Sequence, residues 1–475
     1  MCSLMKAKKS DEHSVTGEDE MADDMKDLFE ERLGRYQAAI ALEPHDRIPI
    51  ATGTNYFAEV YSGNTKQETL YDPEKWLQAE IKFCQDFPEV DTLRNNRIYG
   101  PLFDALDVKT YKLPGRDLPP NTQFQFVEQE YMKEDEYDDL INDPPGFMID
   151  ILLPRIFGEL QNRGTGRSYI AMLKAGFAQM QMGGIMRNRG MVLEQQCGMP
   201  QPMSGFFLAP FDALSDIMRG MTGAFLDMFR KPERVISACD VLVQEMAHVA
   251  LSTGDPLKRY PIFVPTHKAI FMSPKQFDTF YWPSFKKVME IIIDSGYSIR
   301  AYLEGDWGKH WHHMREMPKG RVLCDIDSQG DIFQAKKDLQ GYQCVAGGVQ
   351  DSMLIIGTPD QVREHVRELC ERLGKGSGYI ISAGCSFPYD TKPENFRAMI
   401  DAVMEYGWHD KTTKAKPRPA PPVGKVEGLQ PRRVLTPWEV KKAELGQIMG
   451  NENLIKKNWE QLETMAHTFM WQWTL

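Results

Sequence analysis

The sequence has no Cys-x-x-Cys and no paired cysteine spacing; its eight cysteines are scattered along 475 residues. That excludes a disulfide framework and is the pattern of reduced thiols in a cytoplasm. No apolar run reaches ~18 residues, so no membrane-spanning helix is expected. The opening stretch, MCSLMKAKKSDEHSVTGEDEMADDM, lacks an apolar core, so no secretory leader is expected either. Positive charge is short: 56 Lys and Arg against 67 Asp and Glu, a net charge of -11. That balance argues against nucleic acid as a partner. There is no GxGxxG and no GxSxG, and GKGSG at Gly374 lacks the spacing of a phosphate loop, which removes dinucleotide-fingerprint, hydrolase-elbow and P-loop readings.

What is present is an alternation. Eight short apolar runs read as strands: RIPIA from Arg47, VDTLR from Val90, GFFLA from Gly205, PIFVP from Pro261, YSIRAYLE from Tyr297, RVLCDID from Arg321, YQCVAGGV from Tyr342 and GYIISAG from Gly378. Helix-start chemistry follows several of them. Ser273-Pro274 with Gln276, and Thr358-Pro359 with Gln361, are capping boxes with proline in the first turn. Asp72-Pro73 and Lys392-Pro393 place proline similarly. Strand, loop and capped helix, eight times over ~340 residues, predict an α/β fold of the (β/α)8 TIM-barrel type. The stretch from Pro101 to Pro200 is too long for one crossover and predicts a helical insertion. Residues 1–28 read as a flexible acidic tail, 29–409 as the barrel, 410–435 as a Pro/Lys/Arg-rich extended linker, and 436–475 as a helical extension. Thr436, Pro437 and Glu439 suggest a capping box at its start. Its apolar stripe, Leu454, Trp459, Leu462, Met465, Phe469 and Trp471, has to pack on something, with its own barrel ahead of a partner subunit.

Barrel enzymes build their sites on the loops after the C-terminal strand ends. Those loops carry Asn55 and Tyr56, His267, Glu304 with Trp307, Asp325 and Asp327, Gln350 with Asp351, and Cys385. A thiolate, an imidazole and carboxylates on one face make a candidate catalytic zinc site with one open position. Each has a plainer reading: Glu304 as a cap for backbone amides, Cys385 as a small strand-end residue, His267 as a loop hydrogen-bonder. His310 and His313 in HWHHM share a helical face, but they lie beyond the strand end without a third ligand, and packing is the favoured reading. The methionine-rich stretch MLKAGFAQMQMGGIM, Met172 to Met186, reads as adaptable core packing before it reads as a ligand wall.

The ordered series RLGRYQAAIALEPHDRIPI, GFFLAPFDALSDIMRGMTGAFLDMFRKPERV, MSPKQFDTFYWPSFKKVME, YLEGDW, GDIFQAKKDLQGYQCVAGGVQDSMLIIGTPDQV and GYIISAGCSFPYDTKPENFRAMIDAV resembles the uroporphyrinogen decarboxylase-like superfamily. Within it, the cobalamin-dependent methyltransferase branch is the nearer. The resemblance runs from about Glu31 to Trp408. It implies a (β/α)8 barrel and one of two activities. Decarboxylases carry an arginine-rich signature after the first strand; here IATGTNYFAEVYSG has no arginine to hold a tetrapyrrole's carboxylates. The methyltransferase branch implies zinc bound by His-x-Cys after one strand and Cys after the last. Cys385 matches the last ligand. Tyr302-Leu303-Glu304 stands at the His-x-Cys place, so Glu304 occupies the middle thiolate's position and the third ligand is open between His267 and Asp325. Catalytic roles then fall to Glu304 and Cys385, and substrate contacts to Asn55, Tyr56, Trp307 and Gln350. The resemblance implies zinc in this chain, a corrinoid on a separate protein, and a small methyl donor or acceptor. The expected activity is methyl transfer, with O-demethylation favoured. The alternatives are tetrapyrrole decarboxylation and a non-catalytic barrel that binds corrinoid proteins. A cytoplasmic location and a possible homodimer complete the expectations.

Overall fold

The computed structural model describes residues 15–53, 56–94, 99–384 and 387–475, with side chains from residue 23 onward. Eight short parallel strands follow the eight expected runs: β1 Ala51–Gly53, β2 Thr92–Arg94, β3 Ser204–Phe206, β4 Ile262–Thr266, β5 Ile299–Leu303, β6 Val322–Ile326, β7 Cys344–Gly348 and β8 Tyr379–Ser382. Strands β3 to β8 form one parallel sheet in sequence order, and β1 pairs with β2. An Ile50–Ile381 bridge, with the Ile381 N–H donating to Pro49 O at 3.0 Å, joins β1 to β8. The eight strands therefore stand in a single row in the order β2-β1-β8-β7-β6-β5-β4-β3. At the other seam the Leu93 N–H donates to Pro200 O, ahead of β3. Among the described residues no strand ladder closes β2 onto β3, so the α/β row is established and a closed barrel is not. GFFLA is shorter than expected: pairing slips between Ser204 and Phe206, and Phe207 to Ala209 leave the strand.

The helix Val15–Ile40 begins inside the residues expected to be a tail. Its last turns bring Tyr36, Ala39 and Ile40 against Ala51, Leu323, Cys344, Ala346 and Ile380. Buried charge fixes that docking. Asp91 accepts from Arg35 (2.5 Å), from Arg47 (2.7 Å) and from the Ile50 N–H (2.7 Å), while Arg35 also reaches Asp46. Removing any one partner would strand an uncompensated charge, so the set holds together. This helix covers the side from which the strands start and leaves their C-terminal ends as the open face.

The expected caps at Ser273, Thr358 and Asp72 all form. The one at Thr436 does not. The helix starts later, at Trp438, with Pro437 as cap, and the Thr436 carbonyl instead accepts from the Trp459 indole at 2.9 Å. The insertion holds several short helices and the 32-residue helix Gly166–Cys197. Residues 411–436 have no helix or strand, but they are not a free spacer. Arg418 N–H bonds Gln37, Gly424 N–H bonds Asp294 O, and Arg432 bonds Thr468 Oγ1 at 2.6 Å. Gly34 permits the close pass of this segment: a Cβ there would sit 2.4 Å from the Lys416 carbonyl carbon.

The final helix, Glu452–Thr474, docks only by its end. Glu245, on helix Pro232–Thr253, accepts from His467 Nε2 (2.8 Å) and Trp471 Nε1 (2.9 Å). Trp471 is buried, whereas Leu454, Leu462 and Met465 of the expected stripe are exposed. Helix Pro232–Thr253 is long and apolar enough to cross a membrane by length and composition, and 56% of that span is buried in the fold. It is a core helix that also receives the extension. Trp471→Ala is expected to cost about 3–5 kcal/mol and to speed tryptic cleavage at Lys414 and Lys425, measured by thermal melting and limited proteolysis.

Candidate active site at the strand ends

Strand alternation builds the site in layers, since residues two apart share a face. On β5 these are Arg300, Tyr302 and then Glu304; on β6, Asp325 and then Asp327. In the lowest layer Arg300 and Asp325 form a fully buried pair, Nε to Oδ2 at 2.9 Å. In the next, the Tyr302 hydroxyl donates to Asp327 Oδ2 at 2.6 Å. At the top, His267 Nε2 lies 3.7 Å from Glu304 Oε2.

Asp325 therefore leaves the choice of third ligand. Its depth in the strand commits it to Arg300, one layer below the mouth. His267 is the one beside Glu304. Its ring is held from behind: Nδ1 lies 2.5 Å from Asp216 Oδ2, and its backbone N–H donates to Asp212 Oδ2 at 3.0 Å. Burial alone would lower the imidazole pKa, but the Asp216 hydrogen bond and charge win and raise it to about 9. Burial likewise pushes against the Asp216 carboxylate, and the same hydrogen bond holds it below its ordinary range. Asp212 accepts from the Tyr281 hydroxyl (2.6 Å) and the Lys268 N–H (3.0 Å), and burial followed by the Asp216 charge lifts it to about 6. Glu304 is raised by burial, then lowered in part by His267. Asp351 is raised to about 6 by burial and by Asp327 and Asp390.

Sequence reasoning missed Asp212, Asp216 and Lys268. The two acids follow Pro210 four residues apart, and the helix widens to a π turn over Ser215–Arg219, which turns both toward His267. Such single turns recur at functional sites. The legible signal was a pair of acids four apart on the first helical turns after a strand. Lys268 Nζ bridges Asp216 (2.9 Å) and Glu128 (2.8 Å). Glu128 belongs to segment 111–132, whose Phe124 ring lies 6.4 Å from that of Tyr56. That segment thus lies over the mouth.

The other expected positions divide. Tyr56 is buried at the end of β1, near Lys66, whose ammonium lies 2.9 Å from the Tyr389 ring centre. Trp307 is no substrate contact: it is 1% exposed and packs edge-on to Phe277 and Tyr281. Gln350 is exposed and caps helix Asp351–Ile356. His310 is buried and stacked on Phe277 at 4.2 Å, and His313 pairs with Asp278 and Glu316, so both belong to packing. Asn55 and Cys385 lie outside the described residues. Among the described residues no three His, Cys, Asp or Glu side chains form a metal site by themselves.

A family model described as Uroporphyrinogen decarboxylase (URO-D) matches residues 191–406, the span that carries β3 to β8 and every residue of the top layer. Over those residues the chain is similar to the uroporphyrinogen decarboxylase family. It is similar to the uroporphyrinogen decarboxylases of Methylococcus capsulatus, 35% identical over 81 residues, and of Anaeromyxobacter dehalogenans, 25% identical over 138. These matches span 17% and 29% of this chain and 23% and 38% of the relatives, well short of their full length. A solved structure, a methyltransferase from Methanosarcina mazei, superposes with a TM-score of 0.51 over 78% of this chain and 98% of its own, at 17% identity. That likeness is one of fold.

The layers predict opposite outcomes for two carboxylates of similar sequence context. Asp325→Asn leaves Arg300 buried without its counter-charge and should cost about 3–5 kcal/mol, read as a large fall in melting temperature. Glu304→Gln removes a half-exposed carboxylate that burial already disfavours, and stability should stay within about 0.5 kcal/mol while activity falls.

Proposed function

We propose that the protein is a uroporphyrinogen decarboxylase-like methyltransferase that exchanges a methyl group between a small substrate and the corrinoid of a separate protein, with a zinc ion held by His267, Glu304 and Cys385. The observation that carries the reading is the line Asp216–His267–Glu304. A ring held through Nδ1 by a carboxylate, with Nε2 turned to a second carboxylate, is the arrangement that orients a metal-ligating histidine. The 3.7 Å separation suits two ligand atoms on one tetrahedral ion. When bound, zinc supplies Lewis-acid polarisation of a substrate oxygen or thiol. A glutamate in place of a thiolate makes the ligand set harder, which favours an oxygen substrate and hence O-demethylation of a methoxylated compound.

The chain's own residues have defined tasks. Asp216 fixes the imidazole rotamer and keeps the Nδ1 proton. Asp212 holds the backbone of His267 and Lys268. Tyr302 fixes Asp327 beside the site. Segment 111–132 shields the mouth from water. Decarboxylation is the runner-up, because the curated relatives bear that name. Against it, the mouth is lined by Asp216, Glu304, Asp327 and Asp351, and Lys268 is already bound to two carboxylates, so little remains to hold a polyanionic tetrapyrrole. A non-catalytic barrel that docks corrinoid proteins is the third reading. The six described cysteines are all free thiols, which supports work in a reducing cytoplasm.

Protein purified without oxygen should contain near-stoichiometric zinc by elemental analysis and should transfer methyl groups from a methoxylated aromatic to cob(I)alamin. Cys385→Ser and Glu304→Gln should each lower both zinc content and turnover at least tenfold, with His313→Ala changing neither. Metal-free protein that converts uroporphyrinogen would sink the reading in favour of decarboxylation; metal-free protein that only binds a corrinoid protein would favour the third.

A further inference from the structure

Two buried cysteines, far apart in sequence, are brought together by the elements that carry them. Glu80 and Cys84 lie one turn apart on helix Pro73–Asp86 and share a face. Arg189, Leu193 and Cys197 follow at the same step on helix Gly166–Cys197. Arg189 Nε lies 2.6 Å from Glu80 Oε2 in a buried pair, which sets these two faces against each other. Arg32 closes the helix ends. Its guanidinium donates to Cys197 O at 2.6 Å, to Gly198 O at 2.8 Å, and to Pro88 O, two residues beyond helix Pro73–Asp86. Gly198 is left-handed, at φ 53°, and stops the long helix at Cys197.

The thiols meet inside this clamp. The Cys84 S–H donates to the Cys197 sulfur. That bond, with the Arg32 charge behind it, lowers the Cys197 pKa, while the same bond and burial raise Cys84. One sulfur is therefore drawn toward the thiolate and its neighbour carries the proton, the division of labour in thiols that oxidise in two steps. Cys197 is 8% exposed and Cys84 4%, so the way in suits a small oxidant. Cys239 is a contrast: burial raises its pKa, and its hydrogen-bond partner is Ser284.

We propose that Cys84 and Cys197 are an oxidation site, at which a peroxide converts the dithiol to a disulfide that fastens the end of the insertion's long helix to the helix between β1 and β2. The Cys197 thiolate attacks one peroxide oxygen. An S–O bond forms, the O–O bond breaks, and the departing hydroxide takes the proton that Cys197 had released. The Cys84 sulfur then loses its proton and attacks the sulfenic sulfur. The S–S bond forms, the S–O bond breaks, and the second oxygen leaves with that proton as water. The two sulfurs give up two electrons, and the peroxide is reduced to two waters. The site is independent of the chemistry proposed for the strand ends.

The test uses the full chain, purified reduced and treated with one equivalent of hydrogen peroxide. It is then alkylated in denaturant and digested with trypsin without reductant. Cys84 falls in peptide 83–94 and Cys197 in peptide 190–219, each the single cysteine of its peptide. The two should appear as one species, two hydrogens lighter than their sum, and dithiothreitol should release both. The Cys239 peptide should stay an alkylated thiol. Cys84→Ser keeps a hydroxyl donor to Cys197, so it should remove the joined species and leave Cys197 as a sulfenic acid that dimedone traps. Cys197→Ser should leave no such trap at Cys84. Peptides that stay separate and alkylated in the wild type, either cysteine joined to a different one, or equal dimedone trapping in the two variants would each overturn the proposal.

Discussion

One carboxylate, Asp216, is shared between an imidazole and an ammonium, and the order of the strand-end site follows from that sharing. Oδ2 takes His267 and Oδ1 takes Lys268. Because the carboxylate is almost wholly buried, its two hydrogen bonds are worth more than they would be in water, and its loss would take the buried partner from both His267 and Lys268 at once. The imidazole plane, the position of Lys268 and the attachment of segment 111–132 all trace to this group, and its charge adds to the burial that lifts Asp212. Below it, the Tyr302–Asp327 and Arg300–Asp325 layers form a polar floor with no exposed ionic pair.

Much of the fold was legible because its signals are local. β-branched runs, proline-started helices and side-chain caps are written in adjacent residues, and all eight strands fall at or directly beside the expected runs. The errors are cases where a neighbour outbid a local rule. Thr436 is a good cap by type, but its carbonyl is taken by Trp459 and the helix opens two residues later. GFFLA reads as five strand residues, yet the slip after Ser204 ends pairing early. Residues 411–436, by contrast, keep the irregular, mostly exposed course that their composition suggests, tied at a few points to Gln37, Asp294 and Thr468.

The site was legible in part for the same reason. His267 and Glu304 each follow a strand directly, and that position alone brings them together. Asp325 and Asp327 look alike in sequence. What separates them is one step of two residues, which sends Asp325 down to Arg300. Trp307 and His310 sit close to the strand end in sequence, yet aromatic packing with Phe277 and Tyr281 draws them into the core. Asp216 is signalled only by its pairing with Asp212 four residues before it, a pattern that reads equally as a solvated face until the π turn rotates it inward.

The Lys268 ammonium has two carboxylates to serve, one beneath the imidazole and one on the segment above it. A covering segment and an imidazole that draw on the same counter-ion are tied through it: the ammonium that holds segment 111–132 is the one that shares Asp216 with the ring.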